Sequence, residues 1–140
     1  MRLRREEFDS LRVLIVEDEA LVAMEIEGML EHAGHEPVAQ ADDVPSAVDA
    51  AAAERPDLAL VDIQLAQGAN GLEVAAELGK LGVPVMFATG NCPSERGRGL
   101  GLGCLHKPIT DRSLAATMAV ADAVLRGRPA PAGPASLHLY

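Results

Sequence analysis

The sequence predicts an α/β fold, a five-stranded parallel sheet doubly wound with helices on both faces. Three observations predict it. Short apolar runs recur along the chain, helix-periodic segments separate them, and most of the runs end abruptly in a polar or charged residue. With 140 residues the chain is the size of one ordinary domain, and a composition 49% hydrophobic and 24% charged is that of a globular protein.

Leu11 to Val16 is β-branched and apolar, the signature of a buried strand, and it stops at Glu17-Asp18-Glu19. From Ala20 to Ala33, Val22, Ile26, Met29, Leu30 and Ala33 recur at helical spacing, with Gly34 placed to end the helix. Pro37 to Ala41 reads as a weaker strand, and the alanine-rich stretch Val44 to Glu54 as a helix broken by Arg55-Pro56. Leu58 to Val61 is a buried strand ending in Asp62; loop chemistry through Gln67-Gly68-Ala69-Asn70-Gly71 leads to a helix over Leu72 to Leu81. Val83 to Ala88 is the next strand, ending in Thr89-Gly90. The segment Pro93 to Gly103 carries glycines at 97, 99, 101 and 103, so any helix there is weak and mobile. Cys104 to His106 forms the fifth strand before Lys107-Pro108, and Thr110-Asp111 caps a last helix with Leu114, Met118, Ala121 and Leu125 on one face. The Gly- and Pro-rich chain after Arg126 is expected to be a flexible tail. Three segments follow: an arm over 1–9, a folded unit over 10–126 and a tail over 127–140.

A formal net charge of −9 argues against nucleic acid as a partner, because phosphates are repelled at long range. Arg2, Arg4 and Arg5 form a short basic arm, read as a solvated tail. No secretory signal or long apolar run is present, which predicts a cytoplasmic protein with no membrane association. In a reducing cytoplasm Cys92 and Cys104 are expected as free thiols; a redox pair is the lesser alternative, since their spacing is not C-x-x-C.

In a parallel doubly wound sheet the C-terminal ends of the strands share one edge, and ligands bind there. Glu17, Asp18, Asp62, Thr89 and Lys107 all fall at such ends and so converge on one crevice. Taken singly each is ordinary: acids favour helix starts, and Asp and Thr-Gly are common in turns. The ordered set is what carries information. Clustered carboxylates call for a hard divalent cation, and Mg²⁺ suits a few carboxylates plus water. Asp62 is then placed as a nucleophile toward phosphorus, with the Thr89 hydroxyl and the Lys107 ammonium as partners for phosphoryl oxygens.

From about Leu11 to Leu125 the chain resembles a response-regulator receiver domain, through Val16-Glu17-Asp18-Glu19, Leu60-Val61-Asp62-Ile63, Thr89 and Lys107-Pro108 in that order. The resemblance implies the flavodoxin-like, CheY-like fold and phosphorylation of Asp62 by a histidine kinase. It also implies Mg²⁺ bound by Asp18, Asp62 and the backbone carbonyl of Gln64, with Glu17 acting through water. By the same resemblance Thr89 belongs to the conformational switch, Lys107 contacts the phosphoryl group, and the Lys107-Pro108 bond is cis.

Phe87-Ala88-Thr89-Gly90 is similar to the signature of the "FAT GUY" receivers, though Asn91-Cys92 replaces the residues that complete it. Asp62-Ile63-Gln64-Leu65-Ala66, with Gly68 and Gly71, resembles the receiver part of the alphaproteobacterial general stress response regulator. A histidine kinase of the HWE or a related type is the partner this implies. Leu65-Ala66 stands where the family has Met-Pro, and Cys104 where it has an aromatic switch residue. The switch is therefore expected to be an order–disorder change of Thr89 and the segment Pro93 to Gly103.

With no effector motif after Arg126, output is expected through protein contacts, as a phosphate sink, shuttle or feedback regulator. The face of the last two helices and strand, including Leu114, Met118 and Leu125, is the expected contact face, with plain core or a dimer seam as the alternative for those residues; a monomer or a phosphorylation-dependent homodimer fits equally. Two alternatives are a pseudo-receiver that never takes phosphate and a haloacid-dehalogenase-like phosphatase. Against the second, Gln64 stands two residues after Asp62 where that family has Asp, and the acid pair Glu17-Asp18 comes first instead of late.

Overall fold

Strand residues alternate between the two faces of a sheet and helix residues do not, so the two periodicities of the sequence decide which side chains meet. The computed structural model describes residues 10–65, 70–93 and 97–140; Arg2, Arg4, Arg5, Ala66 and Gly68 lie outside them. In chain order the elements are β1 (Arg12–Val16), α1 (Ala20–His32), β2 (Glu36–Ala41), α2 (Val44–Glu54) and β3 (Leu58–Val61), followed by α3 (Gly71–Lys80) and β4 (Val85–Thr89). β5 (Gly103–His106), α4 (Asp111–Leu125) and β6 (Leu137–Leu139) complete the chain. The strands form one sheet in the order β2-β1-β3-β4-β5-β6, parallel throughout except for β6, which runs antiparallel to β5.

Leu14, Val16, Ala59, Val61, Val85 and Phe87 face one side of the sheet and pack with Ala47 and Ala51 of α2 and with Val74, Ala75 and Leu78 of α3. Their neighbours Val13, Ile15, Leu58, Leu60, Met86 and Leu105 face the other side, against Ala23, Ile26 and Leu30 of α1 and Leu114, Met118 and Ala121 of α4. Capping boxes start α2 and α4: Asp43 and Ser46 exchange side-chain and backbone hydrogen bonds, as do Thr110 and Ser113.

Four expectations meet the structure here. First, where the glycines predict that any helix is weak, none lies between β4 and β5 among the described residues. The glycines there answer a packing demand: a Cβ on Gly101 would sit 2.7 Å from the Phe87 ring. Instead of a helix, Leu100, Cys92 and Tyr140 cover this end of the Phe87 side of the sheet.

Second, Cys92 and Cys104 are bonded to each other, with Cα atoms 5.9 Å apart, and are not free thiols. Third, the expected tail returns as β6 on the edge of β5, and Tyr140 donates its backbone N–H to the Leu102 carbonyl and its hydroxyl to the Pro93 carbonyl. β6 thus covers an edge that would otherwise present unpaired N–H and C=O groups.

Fourth, Leu114 and Met118 are fully buried and Leu125 packs beside them, so the predicted contact face of the last helix is core. Their spacing recorded which face of α4 meets the sheet. Val124, by contrast, is 41% exposed. Truncation therefore separates the two positions: Met118→Ala is expected to lower unfolding free energy by about 2 to 5 kcal/mol, and Val124→Ala to change it by no more than about 0.5 kcal/mol. Urea titration followed by far-ultraviolet circular dichroism measures both.

Candidate metal and phosphoryl site

The site begins with strand register. β1 and β3 are parallel neighbours with Val16 opposite Val61, so the next residue of each strand, Glu17 and Asp62, must emerge side by side. The ladder continues past the strand ends: Asp62 N–H donates to the Val16 carbonyl at 2.9 Å, and Glu17 N–H to the Ala41 carbonyl at 2.9 Å. The chain leaves β1 for β2 on one side and returns to β3 on the other. The crevice therefore opens where strand order reverses.

Glu17, Asp18 and Asp62 each offer a carboxylate oxygen to a cluster whose atoms lie within 4.8 Å of one another. Glu17 and Asp62 are buried at 5% and 6% exposure. Lys107, at the end of β5, lies across them, its Nζ 2.8 Å from Glu17 Oε1 and 2.9 Å from Asp62 Oδ2. Three carboxylates face one ammonium, which leaves two negative charges uncompensated when all are ionised.

Burial pushes the Glu17 carboxyl above the usual carboxylate range; the Lys107 hydrogen bond opposes the rise and neighbouring Asp62 adds to it. For Lys107, burial alone would pull the ammonium down. Its bonds to Glu17 and Asp62 outweigh that and hold it above the ordinary lysine value.

The backbone fixes the remaining groups. Gln64 N–H donates to Asp62 Oδ1 at 3.1 Å, and Gln64 pairs with Asn70 as an antiparallel bridge that closes the loop. Asn70 caps α3 by accepting from Leu72 N–H at 2.7 Å. Thr89 ends β4, and its carbonyl accepts the Lys107 N–H at 3.0 Å. The Thr89 side chain is fully buried, and its hydroxyl has no hydrogen-bond partner among the described residues. So Glu17, Asp18, Asp62 and Lys107 are brought together; Thr89 touches the group through its backbone, and Gln64 through its N–H. The Lys107-Pro108 peptide is cis.

One site residue escaped the sequence reading except as loop chemistry. Gly71 opens α3 against the back of the Asp62 loop: a Cβ there would lie 2.2 Å from the Asp62 carbonyl oxygen and 2.6 Å from Ile63 Cα. Its N–H donates to the Ile63 carbonyl at 2.8 Å. The sequence signals were its place in the loop stretch after Asn70 and in the resemblance to the stress response regulator's receiver part.

A cleft of strand-end acids bridged by a lysine, on a sheet of this order, defines a receiver domain, and the chain belongs to that family: residues 13–119 match the model of the response regulator receiver domain. It is 44% identical over 79 residues to the phyllosphere-induced regulator PhyR of Methylorubrum extorquens, a match covering 55% of this chain and 30% of that protein. Among solved structures it is similar to the PhyR receiver domain of Erythrobacter litoralis, with 31% identity, a TM-score of 0.69, and coverage of 89% of this chain and 97% of that one. The signal receiver domain of a modulated diguanylate cyclase from Desulfovibrio desulfuricans gives 34% identity and a TM-score of 0.70, covering 83% and 98%. The chain spans about a third of the length of the curated relatives it matches.

The contact behind Asp62 gives a direct test. Gly71→Ala must displace backbone, so it is expected to cost at least about 1 to 3 kcal/mol and to shift the Asp62, Ile63 and Gln64 amide resonances. Gly79→Ala, on the same helix with open space around it, serves as the control. Equal spectra for the two variants would contradict the packing described.

Proposed function

We propose that this protein is a phosphoryl-accepting switch: a histidine kinase transfers its phosphoryl group to Asp62 in a Mg²⁺-dependent reaction, and the phosphorylated domain signals through protein contacts. The observation that carries the reading is the pairing of an over-charged acidic cluster with two groups suited to a phosphoryl anion, the Lys107 ammonium and the unpaired Thr89 hydroxyl. A buried hydroxyl with no partner is costly in a folded protein. A phosphoryl oxygen would satisfy it.

The cluster of three carboxylates fits Mg²⁺; Asp18, Asp62 and the Gln64 carbonyl would hold the ion, and Glu17 would act through water. When bound, the cation supplies the charge that lets a carboxylate approach a phosphoryl dianion. The rest is done by the chain. An Asp62 carboxylate oxygen attacks phosphorus, the phosphorus–nitrogen bond to the kinase histidine breaks, and the imidazole leaves. Lys107 exchanges its bond to Asp62 Oδ2 for one to a phosphoryl oxygen, and Thr89 turns its hydroxyl to another.

The tetrad Phe87-Ala88-Thr89-Gly90 and the similarity to PhyR support a FAT GUY-type receiver partnered by an HWE-type or related kinase, serving as sink, shuttle or feedback regulator of a stress or sensory pathway in the cytoplasm. No described helix is long and apolar enough to cross a membrane.

Incubation with acetyl phosphate and Mg²⁺ is expected to add one acid-labile phosphoryl group per chain, read by intact mass. Asp62→Asn and chelation of the metal should each abolish it. Lys107→Ala is expected to slow uptake by about a hundredfold, the scale of losing one charged partner of the transferred group. A protein that ignores the donor is a pseudo-receiver, and one that turns over many organic phosphates is a phosphatase; either result overturns the proposal.

A magnesium titration checks the cation separately. At about a hundred times its dissociation constant the ion should stabilise the fold by about 2.7 kcal/mol, seen as a rise in melting temperature that Asp18→Asn removes.

A further inference from the structure

We propose that Cys92 and Cys104 are a reversible thiol modification site, closed by a peroxide and opened by a dithiol reductant, whose opening releases Gly97–Leu102 and β6 from the edge of the sheet.

The bond joins the segment after β4 to the start of β5. Cys92 lies three residues after Thr89 and Cys104 three residues before Lys107, so the bond ties the chain leaving β4 to the strand that leads to Lys107. Phe87 and Cys104 are register partners on the two strands. Among the described residues no helix lies between β4 and β5, while on the other face Leu102 and Leu137 pack with the cluster of α4. Besides the sulfur bond and this packing, hydrogen bonds tie the corner. Leu102 N–H donates to the Val85 carbonyl, Tyr140 N–H to the Leu102 carbonyl, and the Tyr140 hydroxyl to the Pro93 carbonyl, while β6 adds three residues of ladder. Such ties at the edge of a sheet open at lower free energy than the core strands.

The remainder of the fold does not need the clamp. β1, β2 and β3 are covered on both faces by α1, α2, α3 and α4, with apolar clusters that fill each side. Cutting the bond therefore loosens a corner. Disulfides in a cytosolic protein are usually catalytic or redox-sensing rather than structural, so under the proposed localisation a pair in this position is a sensor.

Exposure sets the order of events. Cys104 is fully buried and Cys92 only partly so. Reduction begins with a reductant thiolate attacking the Cys92 sulfur; the mixed disulfide forms and Cys104 leaves as a thiolate that takes up a proton. The reductant's second thiol then displaces Cys92, giving two protein thiols and an oxidised dithiol. In the other direction the Cys92 thiolate is oxidised by a peroxide to the sulfenic acid with release of an alcohol or water. The Cys104 thiol condenses with it, restoring the bond and releasing water. On the receiver reading above, the released segments connect to the strands that carry Thr89 and Lys107, so output would respond to both inputs; this clause, like the cytoplasmic setting, rests on that reading.

Hydrogen exchange read by mass spectrometry, on full-length protein with no phospho-donor present, tests the proposal. After peroxide, native iodoacetamide should label neither cysteine; after dithiothreitol it should label both. Reduction is expected to speed exchange of peptides covering 97–102 and 137–140 by about tenfold or more, while those of β1 and β3 keep their protection, and peroxide should reverse the change. Cys92→Ser and Cys104→Ala should each show the fast pattern without reductant and ignore peroxide.

Equal exchange in the two redox states overturns the proposal, as does labelling of both thiols after peroxide. Loss of protection throughout the sheet on reduction also overturns it, since the bond would then be a structural staple. Failure of phosphoryl uptake at Asp62 is a separate result and leaves these readouts standing.

Discussion

One ammonium holds the functional edge of this molecule together. The parallel register of β1 and β3 obliges Glu17 and Asp62 to emerge side by side, and Lys107 is the cation that spans them at 2.8 and 2.9 Å. Burial of such a cluster is poor evidence of a contribution to stability. Charges taken from water lose hydration that a single counter-ion repays only in part, and apolar residues at these positions would pack at lower cost. Asp18 widens the imbalance, since it adds a third carboxylate and no cation. The arrangement makes physical sense as a site waiting for positive charge, with Lys107 keeping the acids in place and free to move to an incoming anion.

The sheet absorbs the cost of this edge. Two nearly independent apolar clusters, one on each face, are filled by strand residues in strict alternation. The strand ends therefore inherit a fixed geometry from residues that have no part in the chemistry. Gly71 shows how tight the fit is, because the turn that presents Asp62 lies against the first residue of α3 with no room for one carbon atom.

Legibility in the sequence followed the range of the interaction. Local periodicity was enough for the boundaries of β3 and α2 and for the start of α4 under Thr110, since apolar spacing, caps and breakers act within a few residues. Strand-end placement was enough to gather Glu17, Asp18, Asp62 and Lys107, because a parallel sheet leaves few other arrangements. The misses are all long-range. Pairing between Cys92 and Cys104 depends on how β4 and β5 lie together, and β6 depends on an open edge at β5 that a Pro-rich stretch gives no hint of covering. The apolar stripe of α4 was visible, but whether it met the sheet or a partner was a matter of packing.

The β4–β5 corner joins these threads. A parallel connection ordinarily carries a helix that buries the strands beneath it, and here that service falls to a disulfide, a leucine and the terminal tyrosine. The cysteines stand three residues from Thr89 and from Lys107, Leu100 lies in the segment between β4 and β5, and Tyr140 follows directly on β6 beside β5. A covering built from one rigid helix would transmit or resist a change at Thr89 as a body. A covering built from separate ties can fail one at a time, and the tie with chemistry of its own is the sulfur bond. At Cys104 the corner carries a covalent tie rather than a side chain free to turn. The strength of its hold on Thr89 and Lys107 then depends on the state of two sulfur atoms as well as on the charge at Asp62.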